Sequence, residues 1–270
     1  MSTSFETALV TGASAGLGEE FANQLSSRLS RLILVARREE RLEEVAKELR
    51  TKFDLEVLVI AADIAQPDER ERLHREVMAK GWEVEVLVNN AGLGDYGEFQ
   101  TSEWGRNEAM LRVNIEALTH LCHLFLPSMI AREGGALINV SSLASTLPIP
   151  DFAVYAASKA YVSSFSEALR MEVRDYGIEV LAVCPGPVKT EFGEVAARKE
   201  GGPGMPGGRK NFYVPKEQVV SESLAALAAG QARVYPGWKV ALAAAGISIL
   251  PMVAIRLIMS SRPRRQKLLE

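Results

Sequence analysis

The stretch Thr11-Gly12-Ala13-Ser14-Ala15-Gly16-Leu17-Gly18 decides how the rest of this chain is interpreted. It follows a short run of strand-forming residues, 7–10, and precedes a segment of helical character, 19–25. A strand, a glycine-rich turn and a helix in that order form a phosphate cradle, because a helix begins with free backbone N–H groups and the positive end of its dipole. The stretch therefore predicts a nucleotide-binding turn.

The three glycines of this turn have separate roles. Gly12 allows the tight turn, Gly16 lets a pyrophosphate approach the backbone, and Gly18 lets the helix pack closely on the strand. The spacing is Gly-x3-Gly-x-Gly, not the commoner Gly-x-Gly-x2-Gly of dinucleotide-binding folds. A loop that needs glycines only for its own shape is the structural alternative. The other cradle residues predicted to contact a cofactor are Ser14, Ala15 and Leu17.

The composition is that of a globular protein with an ample core. The chain has 270 residues, of which 47% are apolar and 24% charged, and its net charge of −3 argues against nucleic-acid binding. Cys122 and Cys184 lie in apolar surroundings, so we expect reduced core thiols. The first strand starts too early for a signal peptide, which predicts a cytoplasmic protein. His120 and His123 lack partners at metal-ligand spacing and are interpreted as structural, with no metal site.

Strand and helix patterns alternate along the chain. This alternation predicts a single α/β domain over 1–270, with a doubly wound parallel sheet of about seven strands and helices on both faces. Long helices are expected at 103–130 and 155–176. The predicted strands are 7–10, 32–36, 57–61, 84–88, 136–140, 180–184 and 233–235.

A glycine- and proline-rich segment, 191–214, interrupts this alternation. It is too long for a simple connection and follows the sixth strand at its carboxyl end, where open α/β sheets bind ligands. A flexible lid over a substrate and a surface insertion without function both fit this pattern.

Tyr155 and Lys159 carry the clearest chemical signal. Four residues apart on a helix, they share one face. A nearby ammonium favours the phenolate and brings the tyrosine pKa, ordinarily about 10, toward the working range of an acid or base. Ser142 lies thirteen residues before Tyr155, just past the fifth strand, so its hydroxyl can reach the same pocket. A pair of ordinary surface residues is the alternative for Tyr155 and Lys159 alone.

The motifs in their order resemble the short-chain dehydrogenase/reductase family, in its single-domain Rossmann-like form, over about residues 5–190. The motifs are the glycine turn, Asn89-Asn90-Ala91-Gly92, Asn114, Ser142, Tyr155 with Lys159, and Pro185-Gly186.

The resemblance implies a role for each catalytic residue. Tyr155 is the acid that protonates a carbonyl oxygen as hydride arrives, and Lys159 tunes the tyrosine pKa and binds the nicotinamide ribose. Ser142, rather than the adjacent Ser141, polarises the carbonyl, and Asn114 holds a water in a proton relay. The further cofactor contacts implied are Asp63, Ile64, Asn90, Ala91, Gly92, Pro185, Gly186, Val188 and Thr190.

The end of the second strand predicts the cofactor. A carboxylate about 20 residues past the glycine turn would hold the 2′-hydroxyl of NAD. Arg37 and Arg38 occupy that position, and guanidinium groups suit the 2′-phosphate of NADP(H). The alternative is that both arginines simply start a charged helix.

Three functions are compatible with these residues. The first is an NADPH-dependent reductase, or alcohol dehydrogenase in reverse, of an apolar or lipid-like ketone. An apolar route between Ser142 and Tyr155 supports it, formed by Leu143, Leu147, Pro148, Ile149 and Phe152. An epimerase or dehydratase acting through a transient ketone is the second. A non-catalytic NADP-sensing regulator is the third, although such regulators often lack the tyrosine or lysine.

The C-terminal extension, 238–270, is apolar and then basic. Residues 240–255 contain no charge, but Pro251 and Arg256 argue against a membrane-spanning helix. We expect a helix packed on the body or on a second subunit. A lid over the substrate pocket and an interfacial membrane contact through the basic end are the alternatives. The family resemblance implies a homodimer or homotetramer.

Overall fold

The fold is built on one sheet of seven parallel strands. The structure, a computed structural model, describes residues 5–198 and 212–260. The strand order is β3-β2-β1-β4-β5-β6-β7, which confirms the predicted doubly wound α/β fold. The strands are β1 Thr7–Thr11, β2 Arg31–Ala36, β3 Glu56–Ala61, β4 Val86–Asn89, β5 Gly135–Val140, β6 Ile178–Val183 and β7 Arg233–Val234. The helices are α1 Gly16–Ser26, α2 Glu39–Lys52, α3 Pro67–Ala79, α4 Trp104–Leu111, α5 Leu118–Ala131, α6 Ala153–Val173, α7 Phe192–Ala196, α8 Lys216–Ala228, α9 Trp238–Ile249 and α10 Met252–Ser260.

Each face of the sheet has its own hydrophobic core, because successive side chains of a strand point to opposite faces. In β2, Leu32 and Leu34 pack with the core under α1, α2 and α8, whereas Ile33 and Val35 pack with the core under α3, α5 and α6. The strands are consequently continuous apolar runs, as expected of a parallel sheet covered on both sides.

The long helix predicted at 103–130 is confirmed as a continuous helical run that contains one irregular turn. It consists of α4 and α5 joined by a π turn, Arg112–Ala117. The sequence analysis did not predict this π turn, which widens one turn by a residue. The predicted start of β4 at residue 84 is too early, since the strand begins at Val86.

The structure also bears on the predictions for the cysteines, for His120 and for the two irregular segments. Cys122 and Cys184 are free and buried, which confirms the prediction of core thiols. His120 accepts a hydrogen bond from Arg70 at 3.0 Å, as suits a structural residue. Of the predicted lid, 199–211 lie outside the described residues, and so does the basic end of the chain, 261–270.

The length and hydropathy of the helices test whether any of them, including those of the C-terminal extension, could span a membrane. Within residues 5–198 and 212–260, no single helix is both long and apolar enough to cross a membrane. Only α9 and α10 taken together meet that test, and they are bent by 114° relative to each other.

Candidate active site

A crevice lies at the carboxyl edge of the sheet, at the point where the strand order reverses. β1 has β2 on one side and β4 on the other, so the loops that leave β1 and β4 diverge at the carboxyl edge. Gly12 adopts a φ of +66°, and a Cβ there would lie 2.8 Å from Nδ2 of Asn90. Only glycine fits this turn, because the backbone is left-handed and the loop after β4 closes against it.

The loop after β4 is tied to the glycine turn by hydrogen bonds. Asn90 Nδ2 donates to the Thr11 carbonyl at 2.9 Å, and Thr11 Oγ1 accepts from the backbone N–H groups of Asn90 and Ala91 at 3.0 and 3.1 Å. These bonds hold the two walls of the crevice in register.

In the half of the crevice that we expect to bind phosphate, a carboxylate of the protein itself lies against Arg38. Arg38 donates to Oγ of Ser14 at 3.3 Å and to the carboxylate of Glu191 at 3.0 Å. Arg37 is exposed beside it at the same strand end. Ala15, the N-cap of α1, provides no side-chain cap for the helix. A guanidinium, a hydroxyl and an uncapped helix start fit the 2′-phosphate and pyrophosphate of NADP(H).

The end of β3 forms the next wall along this edge. Asp63 Oδ1 accepts a hydrogen bond from the Ala65 N–H at 3.1 Å, which makes a tight turn. The Ile64 carbonyl accepts from the buried Arg70 at 2.7 Å. These two hydrogen bonds fix the backbone that follows β3, where we expect the adenine of the cofactor to lie.

Lys159 lies at the centre of the catalytic half. Its ammonium is buried, donates to the Val140 carbonyl at 2.8 Å, and lies 5.8 Å from the centroid of the Tyr155 ring. Burial lowers the pKa of Lys159 to about 8. A Cβ on Gly92 would be 3.3 Å from this Nζ and 3.4 Å from Oδ1 of Asn114, so the backbone of Gly92 lies close to both side chains.

The two serines after β5 have different environments. Ser141 is buried, and its Oγ donates to the Lys159 carbonyl at 2.8 Å and shares a hydrogen bond with Ser163. Ser142 caps the turn Leu143–Thr146, where its Oγ accepts from the Ala144 N–H at 3.1 Å. Ser141 thus anchors α6, and Ser142 is the serine with a hydroxyl proton left for a substrate.

Asn114 sits inside the π turn and is fully buried. Its amide Nδ2 donates to the Leu93 carbonyl and to Oγ of Ser158, both at 3.0 Å, while Oδ1 accepts from the Leu93 N–H at 2.9 Å. The side chain therefore connects the loop after β4 to α6. The π turn itself is a feature that often accompanies functional sites.

An aromatic cluster surrounds Tyr155, which is only 7% exposed. The Tyr155 ring stacks on Phe152 at 4.2 Å between centroids and meets Phe192 at 5.5 Å. Tyr96 contacts the edge of Phe152 at 5.6 Å, and Met110 belongs to the same buried cluster. Sequence reasoning identified Phe152 but missed the other three, which come from distant segments and carry no local signal.

An ion pair fixes the start of the predicted lid over these rings. Asp95 is buried and accepts from Arg198 at 2.6 Å and from Arg106 at 3.0 Å. Alongside it, the Tyr96 N–H donates to the Ala196 carbonyl at 2.8 Å. These contacts hold α7, and with it Phe192, against the ring of Tyr155.

The segment after β6 closes the site from the other side. The Pro185 carbonyl accepts from the Leu143 N–H at 2.9 Å, and Val188 pairs with Val214 as a parallel bridge. A Cβ on Gly186 would lie 2.7 Å from Val240 of α9. Thr190 packs against Gly16 of the glycine turn. The sequence-predicted residues therefore converge on one crevice.

Comparison with known proteins agrees with this geometry. Residues 6–201 match the family model described as short chain dehydrogenase. The very-long-chain 3-oxoacyl-CoA reductase of Homo sapiens is 32% identical over 194 residues, which cover 70% of this chain. The chain spans 62% of the length of that relative.

Two solved structures are similar over nearly the whole chain. A short-chain dehydrogenase from Sphingobium yanoikuyae in complex with NADPH superposes with a TM-score of 0.80 at 26% identity, covering 98% of this chain and 99% of the other. A 7β-hydroxysteroid dehydrogenase superposes with a TM-score of 0.82 at 25% identity, covering 94% and 96%.

Proposed function

This chain belongs to the short-chain dehydrogenase family, and from that premise we propose that it is an NADPH-dependent reductase of bulky, apolar ketones. The observation that carries the substrate class is the ring cluster around Tyr155, formed by Phe152, Phe192 and Tyr96. Aromatic rings beside Tyr155 favour contact with apolar surface and offer little to a sugar.

The names of the relatives support the same class. One acts on a very-long-chain 3-oxoacyl thioester and the other on a hydroxysteroid, and both names describe a carbonyl or alcohol carried on a large apolar body. The anion-binding set of Arg38 and Ser14 supports a phosphorylated cofactor, in agreement with the NADPH of the Sphingobium structure.

Reduction of a ketone adds a hydride to carbon and a proton to oxygen. NADPH, when bound, supplies the hydride. Tyr155 gives its phenolic proton to the carbonyl oxygen, and Ser142 donates a hydrogen bond that orients the same oxygen. The charged form of Lys159 stabilises the phenolate that Tyr155 becomes. The proton taken from Tyr155 is then replaced from solvent, which restores the starting state.

A matched panel of ketones tests the proposal. NADPH oxidation is measured with a long-chain 3-oxoacyl thioester, a steroid ketone, an aryl ketone and a ketose. We expect kcat/KM to be at least about tenfold higher for the best apolar ketone than for the ketose. Phe192→Ala is expected to lower the value for apolar ketones, whereas Tyr176→Ala, an exposed ring just before β6 and outside the cluster, is the control.

Two results would contradict the proposal. One is a ketose that reacts better than every apolar ketone. The other is conversion of a substrate without stoichiometric release of NADP, which would indicate epimerisation or dehydration through a transient ketone.

A further inference from the structure

We propose that α9 and α10, the C-terminal helix pair, dock this protein on the surface of an anionic lipid bilayer. The docking surface is separate from the catalytic crevice and does not depend on the proposed reaction.

The helix pair exposes an unusual amount of apolar surface. Among the residues that the structure describes, eight of the eighteen exposed large apolar side chains lie between residues 238 and 260. Only Val240, Ala244 and Ile255 of the pair are buried. Contiguous patches of this kind mark sites of interaction. The exposed side chains used below are Trp238, Leu242, Ile249, Val253 and Leu257, each more than 60% exposed.

The stretch of sequence that contains the helix pair is basic, although Glu222 and Glu270 bound it and Glu222 accepts a hydrogen bond from the Gly237 N–H at 2.8 Å just before α9. Positions 223–269 contain seven lysines and arginines and no aspartate or glutamate, although the whole chain has a net charge of −3. Lys239 and Arg256 lie on the helix pair itself. The sequence beyond it adds Arg262, Arg264, Arg265 and Lys267, which fall outside the described residues. Each cation near an anionic bilayer contributes about 1 kcal/mol of attraction.

This charge distribution favours lipid over a second copy of the chain. A twofold interface places the same patch of both subunits face to face, so cations would meet cations with no carboxylate from this stretch to neutralise them. Phospholipid headgroups offer the opposite charge, and acyl chains accept the apolar side chains.

The geometry of the pair favours lying on a bilayer. α9 has 12 residues and α10 has 9, which correspond to about 18 and 14 Å, against a hydrocarbon core of about 30 Å. The two helices are bent by 114° relative to each other, so they do not form one straight span. α9 also packs on the turn Leu143–Thr146 directly after Ser142. Docking would place lipid beside the mouth of the crevice.

Vesicle binding by the full-length protein tests the proposal. The wild type is sedimented with phosphatidylcholine vesicles and with vesicles that contain phosphatidylglycerol, at low and high salt. We expect binding to the anionic vesicles that is at least about tenfold tighter and weakens with salt. Leu242→Glu and Leu257→Glu should lower it at least about tenfold. Met78→Glu on α3, an exposed apolar position away from the pair, is the matched control.

A fluorescence measurement locates the contact. The chain has three tryptophans, of which Trp82 is buried and Trp104 and Trp238 are exposed. In a Trp104→Phe variant, anionic vesicles should shift the emission of Trp238 to shorter wavelength. Thermal unfolding of the glutamate variants confirms that they fold.

Three results would overturn the proposal. The first is no binding to anionic vesicles by the folded wild type. The second is binding that Leu242→Glu and Leu257→Glu leave unchanged. The third is a dimer in light scattering that these two substitutions dissociate, which would assign the surface to a second copy.

Discussion

The guanidinium of Arg38 lies 3.0 Å from the carboxylate of Glu191, and this pair joins the phosphate-binding wall to α7. We expect the 2′-phosphate of NADP(H) to bind to this guanidinium, which here donates to Ser14 and to Glu191. The carboxylate and the phosphate would therefore compete for the same guanidinium.

Removing this competitor should favour NADPH. Both side chains of the pair are more than half exposed, which limits its contribution to about 1 kcal/mol or less. We expect Glu191→Gln to tighten NADPH binding by about two- to fivefold and to leave NADH unchanged. Fluorescence titration measures both dissociation constants, with Glu194→Gln in α7 as the control. An equal change for the two cofactors would contradict the competition.

The preference for NADPH should depend on the arginines after β2. Each charge-assisted hydrogen bond to the 2′-phosphate is worth about 1.5–3 kcal/mol, which corresponds to about a ten- to hundredfold preference. Arg37→Asp should invert the ratio of kcat/KM for NADPH and NADH, since it removes one donor and offers the ribose hydroxyls an acceptor. If Arg37→Asp leaves the ratio unchanged and Arg38→Ala lowers it, the phosphate is held by Arg38 and Ser14.

Tyr155→Phe should separate binding from turnover. The remaining ring can keep its stack on Phe152, at 4.2 Å between centroids, so the fold and NADPH binding should survive. Loss of the proton donor should lower kcat by at least about 10²-fold. Single-turnover rates and an NADPH titration are compared with the wild type. A rate within a few fold of the wild type would exclude Tyr155 as the acid.

The burial of Lys159 predicts how stability depends on pH. The folded protein releases this proton near pH 8, whereas an unfolded chain holds it to about pH 10.4. The unfolded state binds more protons between these values, so the free energy of unfolding rises with pH across that window.

Lys159→Met gives the matched reference, since it keeps the length of the side chain and removes the titration. The free energy of unfolding is measured in urea, without cofactor, from pH 7 to pH 10. The value for the wild type minus that for Lys159→Met should increase above pH 8. A constant difference would show that Lys159 titrates alike in both states.

The order of motifs predicted the family and the fold correctly. The glycine turn, the apolar strands and the alternation with helices are local patterns, and a parallel sheet with both faces covered follows from them. The π turn at Arg112–Ala117 was not predicted, although the long helix that contains it was.

For the candidate site, the sequence predicted which residues take part but not their surroundings. Residues that define a motif, such as Tyr155 and Lys159, could be identified from the order of the motifs and the family that this order resembles. Their environments could not, because burial depends on what the rest of the chain places around them. The pKa of about 8 for Lys159 and the stacking of Tyr155 on Phe152 are properties of packing.

The sequence by itself determined the fold class, the family and the residues at the carboxyl edge of the sheet, since these follow from composition, periodicity and order. Only the tertiary structure decided which distant side chains share that edge. Phe192 approaches Tyr155, Tyr96 approaches Phe152, Arg198 pairs with Asp95, and Glu191 reaches Arg38. Contacts between residues about 40 to 150 positions apart depend on how strands and helices pack, which no local pattern encodes.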